Sequence, residues 1–190
     1  DVSIVDNVLV NNIRDGVRVA FSSDNYVFGN EVSGNTASGI FLYWSDLIDV
    51  FDNSVFDNEQ SGIAVVHSDN NAVSSNEVFN NGDDGLHLRT SDSNDFSHNI
   101  VTGNMREGVR LFSSSAYNTF TNNSVCNNTD YDFNCSDLTN FFDGNTCRVS
   151  VDCSGLDCAS CPIICGDGEC DAGERISCPQ DCPRNKKKKV

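Results

Sequence analysis

The first 125 residues contain neither cysteine nor lysine, and no stretch of the chain offers the roughly 18 consecutive apolar residues of a membrane helix. The ten cysteines begin at Cys126, and every lysine lies in residues 186–189. Up to Cys182 the chain carries seven arginines against 28 carboxylates. Because so acidic a surface repels phosphate backbones, we expect no nucleic-acid partner.

The first residues carry no secretion signal, and the chain opens in the middle of a repeat. We therefore expect a mature product or an excised fragment. The crowding of thiols in the last third of the chain is rare in cytosolic proteins that bind no metal. It predicts an oxidising compartment, and hence an extracellular or cell-surface protein.

Asparagine and glycine recur in three columns at intervals of 22 to 24 residues. The first column is Asn7, Asn30, Asn53, Asn76, Asn99, Asn123 and Asn145. Five residues later comes the second, Asn12, Asn35, Asn58, Asn81, Asn104 and Asn128. Nine residues after the first column come Gly16, Gly39, Gly62, Gly85 and Gly108, and then Asp132, which breaks the series.

Apolar residues keep the same register, and around the glycines they alternate as in strands, for example in Ile63/Val65 and Leu86/Leu88. A helical solenoid would need ten or more residues at 3.6 periodicity, which no segment offers. The pattern predicts an all-β, right-handed parallel β-helix of about six 23-residue coils, each with three short strands. We expect the asparagines to form the turns and to stack as ladders.

Segments such as residues 30–35 (Asn-Glu-Val-Ser-Gly-Asn) and 39–42 (Gly-Ile-Phe-Leu) resemble the repeats of NosD-like periplasmic proteins. Pectate lyases, polygalacturonases and alginate epimerases share that fold. The resemblance covers roughly residues 1–147 and implies the fold, whereas many activities use this architecture. We expect a β-helix over 1–147, a disulfide-rich module over 148–183 and a disordered basic tail over 184–190.

The outward positions of the glycine strand collect the chemistry-bearing side chains of an otherwise acidic body. All five arginines before Cys126 fall on this strand or in the turn before it, with the only tryptophan. Aromatic faces stack on sugar rings, and arginine binds carboxylates through paired hydrogen bonds. The predicted ligand-binding residues are Arg18, Tyr43, Trp44, His87, Arg89 and Arg110. Alternatively, these arginines only offset the neighbouring carboxylates.

Catalysis has one candidate cluster, formed by Asp83, Asp84, His87 and Arg89. Paired carboxylates with a histidine and an arginine suit acid–base work on a uronate. The segment superficially resembles the Asp-Asp segment of polygalacturonases. Their other motifs do not follow in order, and the Asp-Pro-His signature of alginate epimerases is absent. Because Asp84 also fills a position of the repeat that other coils occupy with turn residues, a turn role is the alternative. The same position holds Asp15, Ser38, Ser61 and Glu107.

The C-terminal cysteines predict a module held by cross-links, because so short a segment cannot build a sufficient core. Residues 165–182 resemble short modules at the ends of archaeal and bacterial surface proteins. We expect disulfides rather than zinc at Cys126, Cys135, Cys147, Cys153, Cys158, Cys161, Cys165, Cys170, Cys178 and Cys182. Calcium is the one cofactor considered, with Asp167, Asp171 and Glu174 as candidate ligands.

Three functions follow from these features. The leading hypothesis is a surface module that binds a polysaccharide or cell-surface glycan without catalysis. The second is a polysaccharide lyase, hydrolase or epimerase acting on uronate glycans. The third is a structural stalk or filament subunit, which would self-associate through the unpaired edge of the N-terminal coil.

Overall fold

The computed structural model describes residues 2–136 and 139–161. The chain divides into Asp1–Ser160 and Cys161–Val190, and the fold below is that of the first unit. Its regular structure consists of short strands, and within the described residues no helix has the length and apolar character to cross a membrane. The predicted calcium ligands and the last four cysteines lie outside the described residues.

Twenty strands form three parallel sheets that run the length of the solenoid. Sheet 1 contains β1 (Ser3–Val5), β4 (Ser23–Phe28), β7 (Asp46–Phe51), β10 (Ala72–Ser74), β13 (Asp95–Ser97), β16 (Thr119–Thr121) and β19 (Phe141–Asp143). Sheet 2 contains β2 (Val8–Val10), β5 (Glu31–Ser33), β8 (Ser54–Phe56), β11 (Glu77–Phe79), β14 (Ile100–Thr102) and β17 (Ser124–Cys126). Sheet 3 contains β3 (Val17–Ala20), β6 (Ile40–Tyr43), β9 (Ile63–Val66), β12 (Leu86–Arg89), β15 (Val109–Phe112), β18 (Phe133–Cys135) and β20 (Ser150–Val151).

Each strand pairs with the strand one coil further along, so the repeat period sets the register. In sheet 3, for example, Ile63 lies between Ile40 and Leu86. The predicted parallel β-helix with three short strands per coil is confirmed. The last strand, β20, lies beyond residue 147 and pairs with β18.

The core is a column of apolar side chains from all three sheets. Most strands of sheets 1 and 2 contribute one inward apolar residue, such as Val73 and Val78, and strands of sheet 3 contribute two, such as Leu86 and Leu88, all fully buried. Toward the C-terminal end the sheet 1 position changes from valine to phenylalanine, and the rings of Phe96 and Phe120 stack at 4.9 Å. The inward positions predicted from the repeat therefore form one continuous core.

The asparagine columns form ladders of amide-to-amide hydrogen bonds. In the first ladder, Asn53 donates from its backbone N–H and its Nδ2 to the Oδ1 of Asn76, at 3.0 and 2.9 Å. Nδ2 of Asn76 in turn donates to Oδ1 of Asn99 and to the carbonyl of Val50. Each buried amide thus satisfies backbone groups that a sharp turn would otherwise leave unpaired. The predicted ladder role is confirmed.

Asp132, the residue that breaks the glycine series, ends the second ladder. Its Oδ1 accepts from the backbone N–H and the Nδ2 of Asn128, as the next asparagine would. Its Oδ2 accepts the backbone N–H groups of Arg148 and Val149. A carboxylate suits this terminal position because it accepts hydrogen bonds on both oxygens and needs no further rung.

Two disulfides cross-link the end of the solenoid to the segment that follows it. Cys135 and Cys147, which occupy core positions of the last two coils, are bonded to Cys153 and Cys158 respectively. Cys126 and Cys161 are also disulfide-bonded. All six described cysteines are therefore oxidised, as predicted.

Removing the 135–153 cross-link by replacing both cysteines with alanine should lower the free energy of unfolding by about 3 kcal/mol, because the closed loop spans 18 residues. Urea unfolding followed by circular dichroism measures this, with the exposed Ser136→Ala as control. Mass spectrometry of protein from an oxidising host should find no free thiol. Unchanged stability of the double variant, or bound zinc in stoichiometric amount, would contradict the cross-linked end.

Candidate functional site

The predicted ligand-binding side chains lie on the outer face of sheet 3 or in the turn after it. One outward column of the sheet aligns coil by coil as Arg18, Phe41, Ala64, His87 and Arg110. The next column is Ala20, Tyr43, Val66, Arg89 and Phe112. We call this surface, together with the turn that follows each strand, the sheet 3 strip. The structure thus brings together the six residues predicted from the repeat.

The turn after sheet 3 holds bulky residues in a backbone conformation that such residues rarely adopt. Its first residue adopts a left-handed conformation, with φ of 52° at Phe21, 49° at Trp44, 50° at His67, 49° at Thr90 and 54° at Ser113, so that the first three coils carry aromatic rings there. The matching left-handed positions after sheets 1 and 2 hold small or polar residues: Asp6, Gly29, Asp52, Ser75, His98, Asn122, Gly144, Asn11, Gly34, Asp57, Asn80, Gly103 and Asn127. Glycine, asparagine and aspartate are the residues that tolerate this region.

Bulky side chains at these turn positions are not required by the fold. A left-handed conformation costs a residue with a Cβ roughly 1–2 kcal/mol. Burial does not compensate, because Phe21 is 75% exposed and Trp44 is 52% exposed. Strain that packing does not explain commonly marks a functional site. This turn is therefore the most informative part of the strip.

Exposed and half-buried rings form one aromatic cluster across the first three coils. Trp44 and His67 stack at 4.6 Å with nearly parallel planes, 13° apart. Tyr43 meets Phe21, Trp44 and His67 edge-on, between 5.5 and 6.3 Å, and stacks at 5.8 Å on Phe41. The outward ring faces of this aromatic cluster can stack on an apolar, planar ligand surface such as that of a sugar ring.

Most arginines on sheet 3 or in the turn before it have a carboxylate partner, as the alternative interpretation expects. The Nε of Arg18 lies 2.8 Å from Asp15, and its guanidinium lies over the ring of Phe41. Arg110 lies 3.8 Å from Asp84, and Arg106 lies 3.2 Å from Asp83. Within the described residues, Arg14 and Arg89 form no ion pair. The exposed guanidinium of Arg89 can therefore bind a ligand without first breaking an ion pair within the protein.

The candidate catalytic cluster contains a buried carboxyl pair beneath a histidine. Asp84 is fully buried, and its Oδ2 lies 2.7 Å from Nδ1 of His87. Its Oδ1 accepts the backbone N–H of Glu107, a residue that is 3% exposed and whose Oε1 accepts from Asn134. Oε2 of Glu107 is buried and accepts no hydrogen bond, although Nε of Arg106 lies 3.6 Å away.

Their surroundings separate the two carboxyl pKa values. Burial raises the pKa of Asp84 from 3.8 to about 6, with further contributions from Glu107 and Asp83 and opposition from His87. Burial alone would raise the pKa of Glu107, but hydrogen bonds with Asp84 and Asn134 and the charges of Arg106 and Arg110 lower it. The pair therefore holds one proton on Asp84 under mildly acidic conditions.

This proton predicts a measurable pH dependence of stability. Because the folded pKa of Asp84 lies above the unfolded value, its contribution is present below pH 4 and is lost as the pH rises through about 6. Asp84→Asn mimics the protonated group, so its free energy of unfolding should fall less than that of the wild type between pH 4 and pH 7. Urea unfolding at several pH values measures this, with the exposed Asp57→Asn as control. Parallel curves for wild type and Asp84→Asn would contradict the shared proton.

Asp15 occupies the same position of the repeat as Asp84, and its contacts indicate that Asp84 has a structural role. Asp15 accepts the backbone N–H of Ser38 on Oδ1 and contacts Arg18, three residues on, through Oδ2. Asp84 likewise accepts the N–H of Glu107 on Oδ1 and contacts His87, three residues on. The predicted turn role therefore holds for Asp84. Asp83 and Arg89 are more exposed than Asp84 and make no contact with each other.

The family model described as "Periplasmic copper-binding protein (NosD)" matches residues 1–147. The chain belongs to the NosD family. It is accordingly a parallel β-helix protein of a periplasmic family, in agreement with the resemblance noted from its repeats. No curated protein sequence matches this NosD-family chain.

Solved β-helix structures are similar to this NosD-family chain in fold. The periplasmic alginate epimerase AlgG matches with a TM-score of 0.63 and 18% identity, over 78% of this chain and 44% of the epimerase. The A-module of the Azotobacter vinelandii mannuronan C-5 epimerase AlgE6 matches with 0.62 and 16%, over 78% and 51%. DFA-IIIase from Arthrobacter chlorophenolicus A6, in complex with DFA-III, matches with 0.62 and 16%, over 75% and 34%. The chain thus spans between about a third and about half of the length of these enzymes.

The copper in the family description has no matching ligand set in the described part of this chain. No group of three or more histidine, cysteine, aspartate or glutamate side chains is placed to hold a metal ion there. The six described cysteines are in disulfides, and Met105 is the chain's single methionine. Soft metals such as Cu(I) favour thiolate and thioether ligands, so residues 2–136 and 139–161 do not fit a copper centre.

Two features of this surface were not predicted from the sequence, namely the left-handed turn of Trp44 and the contact between Glu107 and Asp84. Backbone angles are needed to see that Trp44 lies in a left-handed turn. The repeat in the sequence, however, already showed that the residues of this turn differ from the asparagine, aspartate and glycine of the other turns. Glu107 was noted only as a member of the repeat slot of Asp84. Glu107 lies next to Asp84 because the two residues are one 23-residue repeat apart, but the proton that Asp84 holds depends on the burial of the two carboxyls.

Proposed function

We propose that the protein binds an extended polysaccharide along the sheet 3 strip. The observation that carries this proposal is the left-handed turn column, where Phe21 and Trp44 are exposed and His67 is half-buried in a conformation that costs stability. Stacking on successive sugar rings would explain why these side chains are present although their left-handed conformation lowers the stability of the fold. Coils repeat at about 4.8 Å, so the strip offers contacts at regular intervals along an extended ligand.

Two further observations support a carbohydrate ligand. Two structural neighbours are named as epimerases of alginate or mannuronan, and a third is a complex with DFA-III. The strip itself is an open, regular surface, and a flat surface of this kind suits a long polymer better than a small molecule. Attachment to a glycan at the cell surface is the role we assign to such binding.

Replacement of the turn aromatics by asparagine tests the proposal, because stability and binding should change in opposite directions. Phe21→Asn should raise the free energy of unfolding by about 1 kcal/mol, since asparagine tolerates the left-handed conformation. The same change should weaken glycan binding, and Trp44→Asn should weaken it more strongly. Affinity electrophoresis against a panel of neutral and acidic polysaccharides measures binding, and urea unfolding measures stability.

The chain offers a matched control for loss of one ring from a stacked pair. Phe56 stacks on Phe79 at 4.8 Å on sheet 2, much as Trp44 stacks on His67. Phe56→Ala should leave glycan binding unchanged, whereas Trp44→Ala should weaken it severalfold. Folded protein that binds no polysaccharide in the panel, or equal effects of the two alanine variants, would overturn the proposal.

Acid–base catalysis on a bound glycan is a second candidate, favoured by the short contact between His87 and the buried Asp84. That contact orients the imidazole so that its other nitrogen can exchange a proton with a ligand. Incubation with uronate polymers, followed by chromatography of the products, tests for cleavage or epimerisation. Activity lost in His87→Gln would establish catalysis, and the absence of product with folded protein that binds the same polymer would exclude it for that polymer.

A further inference from the structure

We infer that the sheet 3 strip selects a neutral, hydroxyl-rich glycan over a polyuronate. This inference rests on the proposed polysaccharide binding and names its ligand class. The clustering of arginines by itself would instead favour an acidic glycan. The difference comes from what the arginines contact and from a carboxylate column beside the aromatic turn.

Most of the arginines on sheet 3 or beside it already contact carboxylates of the protein. Arg18, Arg106 and Arg110 each lie within 4 Å of at least one carboxylate. Recognition of a uronate by any of them would require an existing pair to be separated or shared. A guanidinium already bonded to a carboxylate gains little from a second one, because its charge and donors are engaged. Arg89 alone offers an unpaired positive charge on the outward columns of sheet 3.

A column of aspartates follows the aromatic turn. Asp46, Asp69 and Asp92 lie two residues after Trp44, His67 and Thr90, and successive members are one coil apart. Oδ1 of Asp46 accepts the backbone N–H of Asp69, and Oδ1 of Asp69 accepts that of Asp92, at 2.7 and 2.8 Å. Within the described residues the second oxygen of each carboxylate accepts no other hydrogen bond. The column therefore presents a row of anionic acceptors along the turn.

These two features favour the same ligand chemistry. Sugar hydroxyls donate to carboxylate oxygens, and their ring faces stack on aromatic side chains. A uronate in the same position would place its own carboxylate beside the aspartate column, in a protein whose net charge is −16. Like charges on the two partners slow association and weaken binding, whereas a neutral glycan meets no such barrier.

Isothermal titration with size-matched neutral oligosaccharides (glucan, mannan and galactan series) and oligouronates (guluronate and galacturonate series) tests the inference. At least one neutral series should bind about tenfold more tightly than either uronate series. Its affinity should change little between 50 mM and 500 mM salt, because uncharged ligands are not screened.

Asp69→Asn is the decisive variant. It keeps an Oδ1 that can accept the N–H of Asp92, but replaces the free anionic oxygen with an amide donor. Neutral-glycan affinity should fall by about tenfold, the value of one hydrogen bond to a charged acceptor. The exposed Asp57→Asn, in the turn after sheet 2, should change nothing.

The outcomes separate this inference from the proposal beneath it. Tighter binding of a uronate series, lost in Arg89→Gln and unaffected by Asp69→Asn, would overturn the neutral selectivity and leave polysaccharide binding intact. Binding of neither class by folded protein would overturn the binding function and this inference with it.

Discussion

Ile63→Asp should abolish the folded solenoid. Ile63 is fully buried in β9, between Ile40 and Leu86 of the neighbouring coils. A carboxylate there has no donor within the apolar column, and an uncompensated buried charge costs several kcal/mol, a large part of the stability of a domain of this size. Circular dichroism should show loss of the cooperative sheet transition at neutral pH.

Ile63→Val is the matched control, because it keeps the shape and removes one methylene. It should cost only about 1 kcal/mol. Val66→Asp should also be tolerated, because Val66 faces outward from β9 beside Arg89 of the neighbouring strand β12. Intact sheet signal with an unchanged melting temperature in Ile63→Asp would mean that the register of the core is wrong.

Asn76→Asp should destabilise the first asparagine ladder by about 3–5 kcal/mol at neutral pH. The aspartate would still accept from Asn53, but it would set a charged oxygen against the carbonyl of Val50 and the Oδ1 of Asn99. Two donated hydrogen bonds would become two repulsive contacts in a buried site, which explains so large an effect from an isosteric change. Urea unfolding at neutral pH measures the loss.

Asn80→Asp, four residues further on, is the control for that change. Asn80 is exposed and occupies a left-handed turn position that aspartate fills elsewhere, as at Asp57. Its replacement should alter the free energy of unfolding by less than about 0.5 kcal/mol. If the two variants were equally stable, the ladder amides would contribute nothing beyond their turn conformation.

The repeat in the sequence was sufficient to predict the coils, the inward residues and two of the ladders. A parallel solenoid explains why: residues one period apart become neighbours, so that a column such as Asn53, Asn76 and Asn99 is a contact list as well as a pattern. Side chains alternate across a strand, which then determines that Ile63 and Val65 face inward while Ala64 lies between them on the outer side.

Two further ladders were present in the sequence and were overlooked. Asn71, Asn94, Asn118 and Asn140 stack before the strands of sheet 1, but Ile48 interrupts their column after Asn25. A serine ladder, Ser22, Ser45, Ser68, Ser91 and Ser115, closes the turn after sheet 3. Serine is common enough on surfaces that its spacing attracts little attention, although from Ser45 to Ser115 each hydroxyl accepts the backbone N–H of the serine one coil before it.

The amino-acid sequence by itself determined the fold, the register and the face on which the arginines and aromatics gather, because all three depend on the period alone. Only the tertiary structure decided what those side chains do. Whether Arg110 is free or paired depends on its 3.8 Å approach to Asp84, and whether Trp44 is strained depends on its φ of 49°. The acidity of Asp84 likewise follows from its burial against Glu107. Distances, backbone angles and exclusion of water arise between coils, and no spacing along the chain encodes their values.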